Sequence, residues 1–417
     1  MTTKDLQKKI INRKTCICSN NLKDKINFGN LPLINNYSVK KKSTKYPTVI
    51  SQCKVCNLIQ LKYSVPDKML FPNNYSYLSG NSKEKINNFN SLISKLKKIS
   101  KASNSKILDI GSNDGSFLNL AKKQGFKVLG VEPTNTAKIS KKKGVDTIKK
   151  PLDFSLAQKI VRKYSKFNFI VANNFFAQTN NLVEIIRSIK LILNKKGLLI
   201  IEVQYLYDLL KQKGFDSFHH EHIAYYTASS ITRLLKKYNI YVFNAEKLNV
   251  HGGLLRVYAS LEQKPLTKNL KKLLNREDDR NIVKKIKELN LFRIKFTKKI
   301  KKFIIKLRKK RKIIYAIGAA PRSCVLLNSS NFTQKEIFLV GEVSESLKCN
   351  KYVPGTDIMV KDENKIITDK PDYVVILAWH LKNRMIKLLL QKGYKGDFII
   401  PLPKLKIIKN NNSYDSL

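Results

Sequence analysis

Hydrophobic and polar positions along the middle of the chain predict strands that alternate with helices. Short apolar runs bounded by Gly or polar residues predict strands, and apolar residues three or four positions apart predict helices. The predicted helices are 86–99, 117–124, 183–193 and 228–237, and the predicted strands are 106–110, 126–132, 167–172, 197–202, 240–248 and 253–260. This alternation favours a parallel, doubly wound α/β sheet, with the last two strands as a hairpin at its edge.

A second alternation of strands and helices runs from residue 312 to the Asn-rich tail. Its predicted strands are 312–318, 337–340, 373–378 and 398–400. Between the two alternations, apolar residues recur at spacings of three and four from Ile282 to Leu307, with Lys and Arg among them. This stripe predicts one long helix that connects two domains, and a basic helix lying on a membrane is the alternative.

Four of the six cysteines, Cys16, Cys18, Cys53 and Cys56, fall within the first 60 residues. That segment has too few large apolar residues to form a core alone, so a bound ion would explain how it folds. Cys53 and Cys56 have the spacing of half a zinc site, whereas Cys16 and Cys18 are closer than usual. Structural zinc on these four residues is our prediction, and reduced structural thiols are the alternative. We divide the chain into domains 1–75, 76–265 and 313–417, with a helical connector at 266–312.

The charge of the chain is strongly positive. Its 417 residues include 81 basic and 30 acidic side chains, a formal net charge of +51. This suits an anionic ligand or a nucleic acid. Because the lysines are spread over the whole chain beside many Asn and Ile, we attribute most of the excess to compositional bias. Without an apolar leader or an uncharged apolar run of ~18–20 residues, we expect a cytoplasmic protein that does not use a membrane.

The sequence Ile107-Leu-Asp-Ile-Gly-Ser-Asn-Asp-Gly115 predicts a buried strand, a Gly turn and a helix. A dinucleotide fingerprint would need Gly where Asn113 and Ser116 stand, so NAD is disfavoured. Glu132 ends the next strand, where a carboxylate can accept both ribose hydroxyls of a nucleoside. Together these features are typical of a class I S-adenosylmethionine (SAM) methyltransferase, and a degenerate nucleotide fold is the alternative. The candidate cofactor-binding residues are Asp109, Gly111, Ser112, Asn113, Gly115, Glu132 and Asn173.

A second candidate site is the run His219-His-Glu-His222, which holds three of the five histidines. A metal site is disfavoured because the run lacks the His-Glu-x-x-His helix spacing. A neutral imidazole beside a carboxylate is a good general base near pH 7. The run therefore suits removal of a proton from a carbon next to a carbonyl.

A third candidate site is His251-Gly-Gly-Leu-Leu-Arg256, where a Gly pair between two strands allows close approach of a ligand. Arg256 is either a substrate-binding residue or an ordinary strand residue.

Over nearly its whole length the chain resembles the C-methyltransferases that act on nucleotide-linked 4-keto-deoxysugars. That family has a zinc-binding N-terminal domain, a SAM-binding domain and a Rossmann-like C-terminal domain. The matching stretches are Cys53-x-x-Cys56, Asp109-Ile-Gly-Ser-Asn-Asp-Gly, His220-Glu-His222, His251-Gly-Gly, Gly318-Ala-Ala, Tyr352-Val-Pro-Gly-Thr, Leu377-Ala-Trp and Pro401-Leu-Pro.

The resemblance implies methylation at carbon 3 of the sugar. His222 would take the proton α to the C4 ketone, and the enolate would attack the sulfonium methyl of SAM. Glu221 would support the imidazole, and either Tyr75 or Tyr77 matches an active-site Tyr of the family. The candidate catalytic residues are His222, Glu221, His219, Tyr75 and Tyr77, and the candidate substrate-binding residues are Gln178, His220, His251 and Arg256.

The chain departs from the family at two positions beside the substrate. His219 stands where the family commonly has Tyr, and Gln178 stands where it commonly has His. Because of these two changes, the enzyme could accept a different sugar, give a product of different stereochemistry or have reduced activity.

Two other functions compete with this interpretation. A nucleic-acid methyltransferase would fit the charge, but no basic and aromatic cluster surrounds the predicted SAM cleft. A non-catalytic protein with a relic SAM fold would fit the two departures. We expect SAM and zinc as ligands, no nucleic-acid partner, and a monomer or weak homo-oligomer.

Overall fold

A computed structural model describes residues 10–410 except 19, 42, 74, 76, 101–103, 251 and 280. The chain divides into two compact units, each discontinuous in sequence. The first unit comprises 1–25, 51–208 and 222–282, and the second comprises 26–50, 209–221 and 283–417. The division into four parts at 75, 265 and 312 stays a prediction. Among the helices of the described residues, we find none that could cross a membrane.

Five strands and one short helix form the N-terminal part of the described chain. Its elements are β1 (Ile11–Asn12), β2 (Leu22–Pro32), β3 (Lys45–Cys53), β4 (Ile59–Leu61), β5 (Tyr63–Ser64) and α1 (Asp67–Leu70). β1 pairs with β5 in antiparallel fashion. The chain passes from the first unit into the second within β2 and returns within β3.

A seven-stranded sheet forms the centre of the first unit. The elements from residue 83 to residue 276 are α2 (Lys83–Ile99), β6 (Lys106–Ile110), α3 (Ser116–Lys123), β7 (Lys127–Val131), α4 (Thr136–Lys142), β8 (Thr147–Ile148), α5 (Phe154–Tyr164), β9 (Phe167–Asn173), α6 (Leu182–Ile192), β10 (Leu193–Gln204), α7 (Leu206–Lys211), β11 (Ala224–Tyr225), α8 (Ala228–Lys236), β12 (Tyr241–Leu248), β13 (Leu254–Ser260) and α9 (Lys268–Arg276). The strand order is β12-β13-β10-β9-β6-β7-β8. Strands β6 to β10 are parallel, and the predicted hairpin β12–β13 is confirmed as an antiparallel edge.

Burial explains why the central strands are almost wholly apolar. Helices cover both faces of a parallel sheet, so its strands need apolar side chains on both sides. Ile107, Leu108 and Ile170 are each 0% exposed, and they contribute to two hydrophobic clusters within this unit.

The second unit contains a second α/β sheet. Its elements after residue 281 are α10 (Ile282–Lys309), β14 (Ile314–Ile317), α11 (Pro321–Ser329), β15 (Leu339–Glu342), β16 (Met359–Asp362), α12 (Lys365–Thr368), β17 (Tyr373–Ile376), α13 (Lys382–Gln391), β18 (Asp397–Ile400) and β19 (Lys406–Ile408). The order is β16-β15-β14-β17-β18-β19, parallel except for β19. The predicted second Rossmann-like sheet and the predicted long helix are both confirmed.

Arg256 lies inside the first unit in a buried network of charges. Its side chain is 0% exposed, and its Nε donates to Glu202 Oε1 at 2.6 Å. Its other nitrogens donate to Glu246 at 3.1 Å and to Asn88 Oδ1 at 2.7 Å. Burial alone would lower the pKa of Arg256, but the carboxylate of Glu202 raises it above its ordinary value. These contacts join β10, β12, β13 and α2, so they support the structural role that the sequence left open for Arg256.

Replacement of Arg256 by Met should destabilise the protein by about 3–5 kcal/mol, because it leaves the buried carboxylate of Glu202 without its counter-charge. The free energy of unfolding in urea measures this loss. Lys95→Ala is a matched control, since Lys95 binds Glu246 from a partly exposed position and should cost at most about 1 kcal/mol. Equal losses in the two variants would contradict the assignment.

Candidate active site

The topological switch point of the seven-stranded sheet lies between β6 and β9. The chain continues from β6 to β7 on one side, and β9 lies on the other. In open parallel sheets, ligands bind outside the carboxyl ends of the strands at such a point. The residues that follow β6, β7 and β9 are therefore the candidate site.

The turn after β6 has a backbone conformation that matches the predicted Gly turn. Gly111 and Gly115 have φ of +71°, and Asn113 has φ of +51°. A Cβ on Gly111 would lie 2.9 Å from the ring of Phe175, and one on Gly115 would lie 2.1 Å from Ser140 Oγ. Side chains are therefore excluded at both glycines, because the backbone of the turn packs closely against Phe175 and Ser140.

Glu132 is held against this turn. Its Oε2 accepts the backbone N–H of Asn113 at 2.9 Å, and its Oε1 accepts the N–H of Thr134 at 2.8 Å. The side chain is 5% exposed. Because a carboxylate oxygen has two lone pairs, each oxygen can still accept a ribose hydroxyl.

Several buried polar atoms at the same edge have no hydrogen-bond partner among the described residues. They are Asp109 Oδ1, Ser112 Oγ, and both amide atoms of Asn173. Burial, reinforced by the nearby charges of Glu132 and Glu202, raises the pKa of Asp109 well above its ordinary value. Unpaired buried polar groups are costly, so this edge fits a polar nucleoside ligand such as SAM.

His222 lies close to the end of β9. The N–H of the next residue, Ile223, donates to the carbonyl of Ala177 at 2.6 Å. Ala177 precedes Gln178, and both follow Asn173 at the end of β9. The structure thus brings His222, Gln178 and the predicted cofactor residues to one edge of the sheet.

The three residues before His222 belong to the second unit, where they are buried. The ring of His220 donates to the carbonyl of Pro47 at 3.3 Å, and burial lowers its pKa to about 4. Glu221 Oε1 accepts the amide of Asn35 at 2.5 Å. His220 therefore helps to hold the loop, and its substrate-binding role, like that of His219, stays a prediction.

Tyr75 and Tyr77 lie near the Gly turn. Their ring centroids are 6.5 Å apart, and the amide of Asn113 donates to the carbonyl of Tyr77 at 3.0 Å. The predicted substrate residue His251 lies outside the described residues.

The four N-terminal cysteines form one buried cluster. Their Sγ atoms all lie within 4.8 Å of one another, with 3.6 Å between Cys16 and Cys56 and 3.4 Å between Cys18 and Cys53. Hydrogen bonds from Cys16 and Cys56, and then from Asn20, lower the pKa of the Cys18 thiol. A tetrahedral site with Zn–S distances of about 2.3 Å requires sulfurs at such separations, so the short spacing of Cys16 and Cys18 does not prevent the cluster from fitting zinc.

Sequence reasoning missed Asp114, which is 2% exposed and accepts hydrogen bonds from Ser79 Oγ at 2.6 Å and from Gly80 N–H at 3.2 Å. It stands in the same motif as Asn113. Its partners are 34 and 35 positions away in sequence, so no local pattern could reveal them.

Sequence reasoning also missed Arg322, at the switch point of the second sheet. Arg322 lies in the first turn of α11, after Gly318. It is 8% exposed and donates to the buried carboxylate of Asp216 at 2.7 Å. The guanidinium lies over the ring of Trp379, 4.5 Å from its centroid, and its buried Nε and Nη1 have no hydrogen-bond partner among the described residues. At the end of β15, Glu342 accepts the N–H of Ala319 at 2.9 Å. The second unit thus repeats a Gly turn with an acidic residue at the end of the next strand, and adds a buried guanidinium.

Two protein families match consecutive parts of the chain. Residues 85–244 match a methyltransferase domain, and residues 249–403 match the C-methyltransferase C-terminal domain. The first match confirms the predicted class I SAM methyltransferase fold.

Individual proteins are also similar to this chain. C-methyltransferase NovU of Streptomyces niveus is 25% identical over 398 residues, which cover 92% of this chain and 94% of that protein. Among solved structures, the PH0226 protein from Pyrococcus horikoshii OT3 is 18% identical, covers 46% of this chain and 97% of its own, and has a TM-score of 0.36. Magnesium protoporphyrin IX methyltransferase (ChlM) from Synechocystis PCC 6803 with bound SAH is 13% identical, covers 42% and 83%, and has a TM-score of 0.34. The chain is thus similar to C-methyltransferases over two consecutive domains and to one curated C-methyltransferase over nearly its whole length, and these similarities support SAM-dependent C-methyl transfer.

Proposed function

We propose that this protein methylates carbon 3 of a nucleotide-linked 4-keto-deoxysugar in the cytoplasm. The observation that carries the proposal is the position of His222 at the edge of the sheet that presents the cofactor turn and Glu132. A base at this edge suits a carbon nucleophile, because a carbon next to a ketone must lose a proton before it can attack.

SAM supplies an electrophilic methyl group when it is bound. The imidazole of His222 accepts the proton from carbon 3, and the electron pair of the broken C–H bond moves into the enolate with the C4 ketone. When the new carbon–carbon bond forms, the ketone is restored, the methyl–sulfur bond breaks and its electron pair stays on sulfur. Tyr75 or Tyr77, near the Gly turn, is suited to binding the sugar or its developing enolate oxygen.

The second unit, taken by itself, offers groups that are suited to an anionic, nucleotide-like ligand. Arg322 offers two buried N–H groups, Nε and Nη1, that no described residue accepts. Buried donors of this kind are suited to phosphate oxygens, which guanidinium groups bind in a bidentate manner. Glu342 lies at the end of β15. In Rossmann folds that bind nucleotides, an acidic residue at the end of this strand accepts the ribose hydroxyls.

We also propose that Cys16, Cys18, Cys53 and Cys56 hold a structural zinc ion. The donor set is four thiols at tetrahedral separations, and the site has no open position that catalysis would need. Asn20 donates to Cys18 Sγ at 3.2 Å and would stabilise the thiolate in that site.

His222→Asn should reduce methyl transfer by about 10²–10⁴-fold, because it removes the general base. Mass spectrometry of nucleotide 4-keto-sugars incubated with SAM measures the gain of one methyl group. SAM binding, measured by calorimetry, should stay unchanged in this variant. Turnover at the wild-type rate would remove His222 from the role of base.

Arg322→Lys should weaken the binding of a free nucleoside diphosphate, measured by calorimetry, by about 10–100-fold, since it loses a bidentate contact with the phosphates. Lysine preserves a positive charge beside Asp216, so the variant should still fold. Arg384→Lys is the control, because Arg384 is exposed on α13. The same affinity for the nucleoside diphosphate in all three proteins would argue against phosphate binding at Arg322.

The purified protein should contain one zinc ion per chain, and Cys18→Ser should lose most of it and unfold at a lower temperature. Inductively coupled plasma mass spectrometry measures the zinc content, and thermal unfolding measures the melting temperature. Cys349→Ser is the control, since Cys349 lies outside the cluster and should keep both the zinc and the wild-type melting temperature. A metal-free wild-type protein of normal stability would favour reduced thiols.

A further inference from the structure

The segment Tyr77–Gly80 is fastened to the cofactor turn by two consecutive residues of that turn. Asn113 binds it twice, since its amide donates to the carbonyl of Tyr77 at 3.0 Å and accepts the N–H of Ser79 at 2.9 Å. Asp114 also binds it twice, through Ser79 Oγ at 2.6 Å and the N–H of Gly80 at 3.2 Å. We call this segment the cofactor strap.

The contacts of Asp114 are buried and charge-assisted. Lys143 Nζ lies 2.8 Å from its Oδ2, and Ser116 Oγ donates to the same oxygen at 2.8 Å. Burial acts to raise the pKa of Asp114, but hydrogen bonds from Lys143, Ser79 and Ser116 outweigh it and lower the pKa below its ordinary value. Hydrogen bonds to a charged group are stronger than those between neutral groups, so the strap is held firmly.

The strap is packed tightly against the turn. A Cβ on Gly80 would lie 2.4 Å from Ser116 Oγ and 2.7 Å from Asp114 Oδ2. The φ of Gly80 is outside the left-handed region, so Gly is required there by the close approach alone. Before the strap in sequence, the carbonyl of Asn73 accepts the N–H of Asn135, three residues after Glu132.

Asn113 joins this strap to the residue that is placed to bind the ribose. Its backbone N–H is bound by Glu132, and its side chain binds the strap. A displacement of the strap therefore disturbs the conformation of Asn113 and, through it, the hydrogen bond that orients Glu132.

We propose that Asn113 and Asp114 are positioning residues that hold the strap across the SAM site, and that SAM exchanges only when these hydrogen bonds open. The strap then also determines where Tyr77 stands relative to the cofactor. The proposal depends on SAM as the methyl donor in the proposed function, and it does not depend on the identity of the sugar.

Two variants disturb the strap from opposite sides. Asn113→Gly removes the amide while keeping a residue that tolerates a positive φ. Gly80→Ala keeps every polar group and inserts a methyl group between the strap and Asp114. Asn90→Ala is the control, because Asn90 is an exposed amide on α2.

The measurement is the release of labelled SAM from the full-length protein after addition of excess unlabelled SAM. Release should be about 10-fold faster in both variants and unchanged in Asn90→Ala, as expected from the loss of one or two hydrogen bonds. Association should be faster as well, so that the Kd changes little, whereas a merely damaged site would release SAM faster at an unchanged association rate and so bind it more weakly. Thermal unfolding shows whether each variant is folded. If one variant does not fold, the release rate of the other variant decides the test.

Wild-type release rates in both folded variants would overturn the proposal, and so would faster release without faster association. The assay contains no sugar. A failure of the proposed function appears separately, as a wild-type protein that exchanges SAM but adds no methyl group to nucleotide 4-keto-sugars.

Discussion

The hydrogen bond from the Asn113 backbone to Glu132 is the contact on which the arrangement of the active site depends. It needs the left-handed backbone conformation at residue 113, which Asn tolerates better than most residues do. That conformation orients the backbone N–H towards the carboxylate while the side chain binds Tyr77 and Ser79. Asn113 therefore positions both Glu132, the residue predicted to bind the ribose, and the segment Tyr77–Gly80.

The second unit contains the same type of hydrogen bond, from a backbone N–H after a Gly turn to a carboxylate, but between different residues. Ala319, after Gly318, donates its N–H to Glu342 at the same 2.9 Å that separates Asn113 from Glu132. Both acidic residues end the second strand of a parallel sheet, and both sheets have their switch point beside the first strand. The units differ in what stands next to the turn, which is an amide in the first and a buried guanidinium in the second.

Strong periodicity in the sequence predicted most of the fold. The strands at the centre of both sheets and the helix Ile282–Lys309 have long apolar patterns, and they lie within a few residues of the predicted bounds. The missed elements, such as β8 and α4, have two and seven residues and few large apolar side chains. Packing against neighbouring strands, and not local preference, decides the structure of such segments.

The sequence predicted which residue types form the site better than it predicted which residues they contact. It singled out Asn113, Glu132 and His222, but it could not show that Arg256 is buried among carboxylates. It also treated His219 to His222 as one site, whereas the structure places the first three of these four residues in the second unit. Contacts between residues far apart in sequence leave no pattern in a single chain.

The cysteine cluster has a consequence for the segment that it encloses. Residues 26–50 leave the first unit and return to it, and the cysteines flank both ends of this excursion. Because Cys18 and Cys53, 35 positions apart, meet at 3.4 Å, the cluster closes the excursion into a loop. A cross-link there lowers the entropy of the unfolded chain. Thus the cluster would help the second unit to keep two of its strands, although none of the four cysteines belongs to that unit.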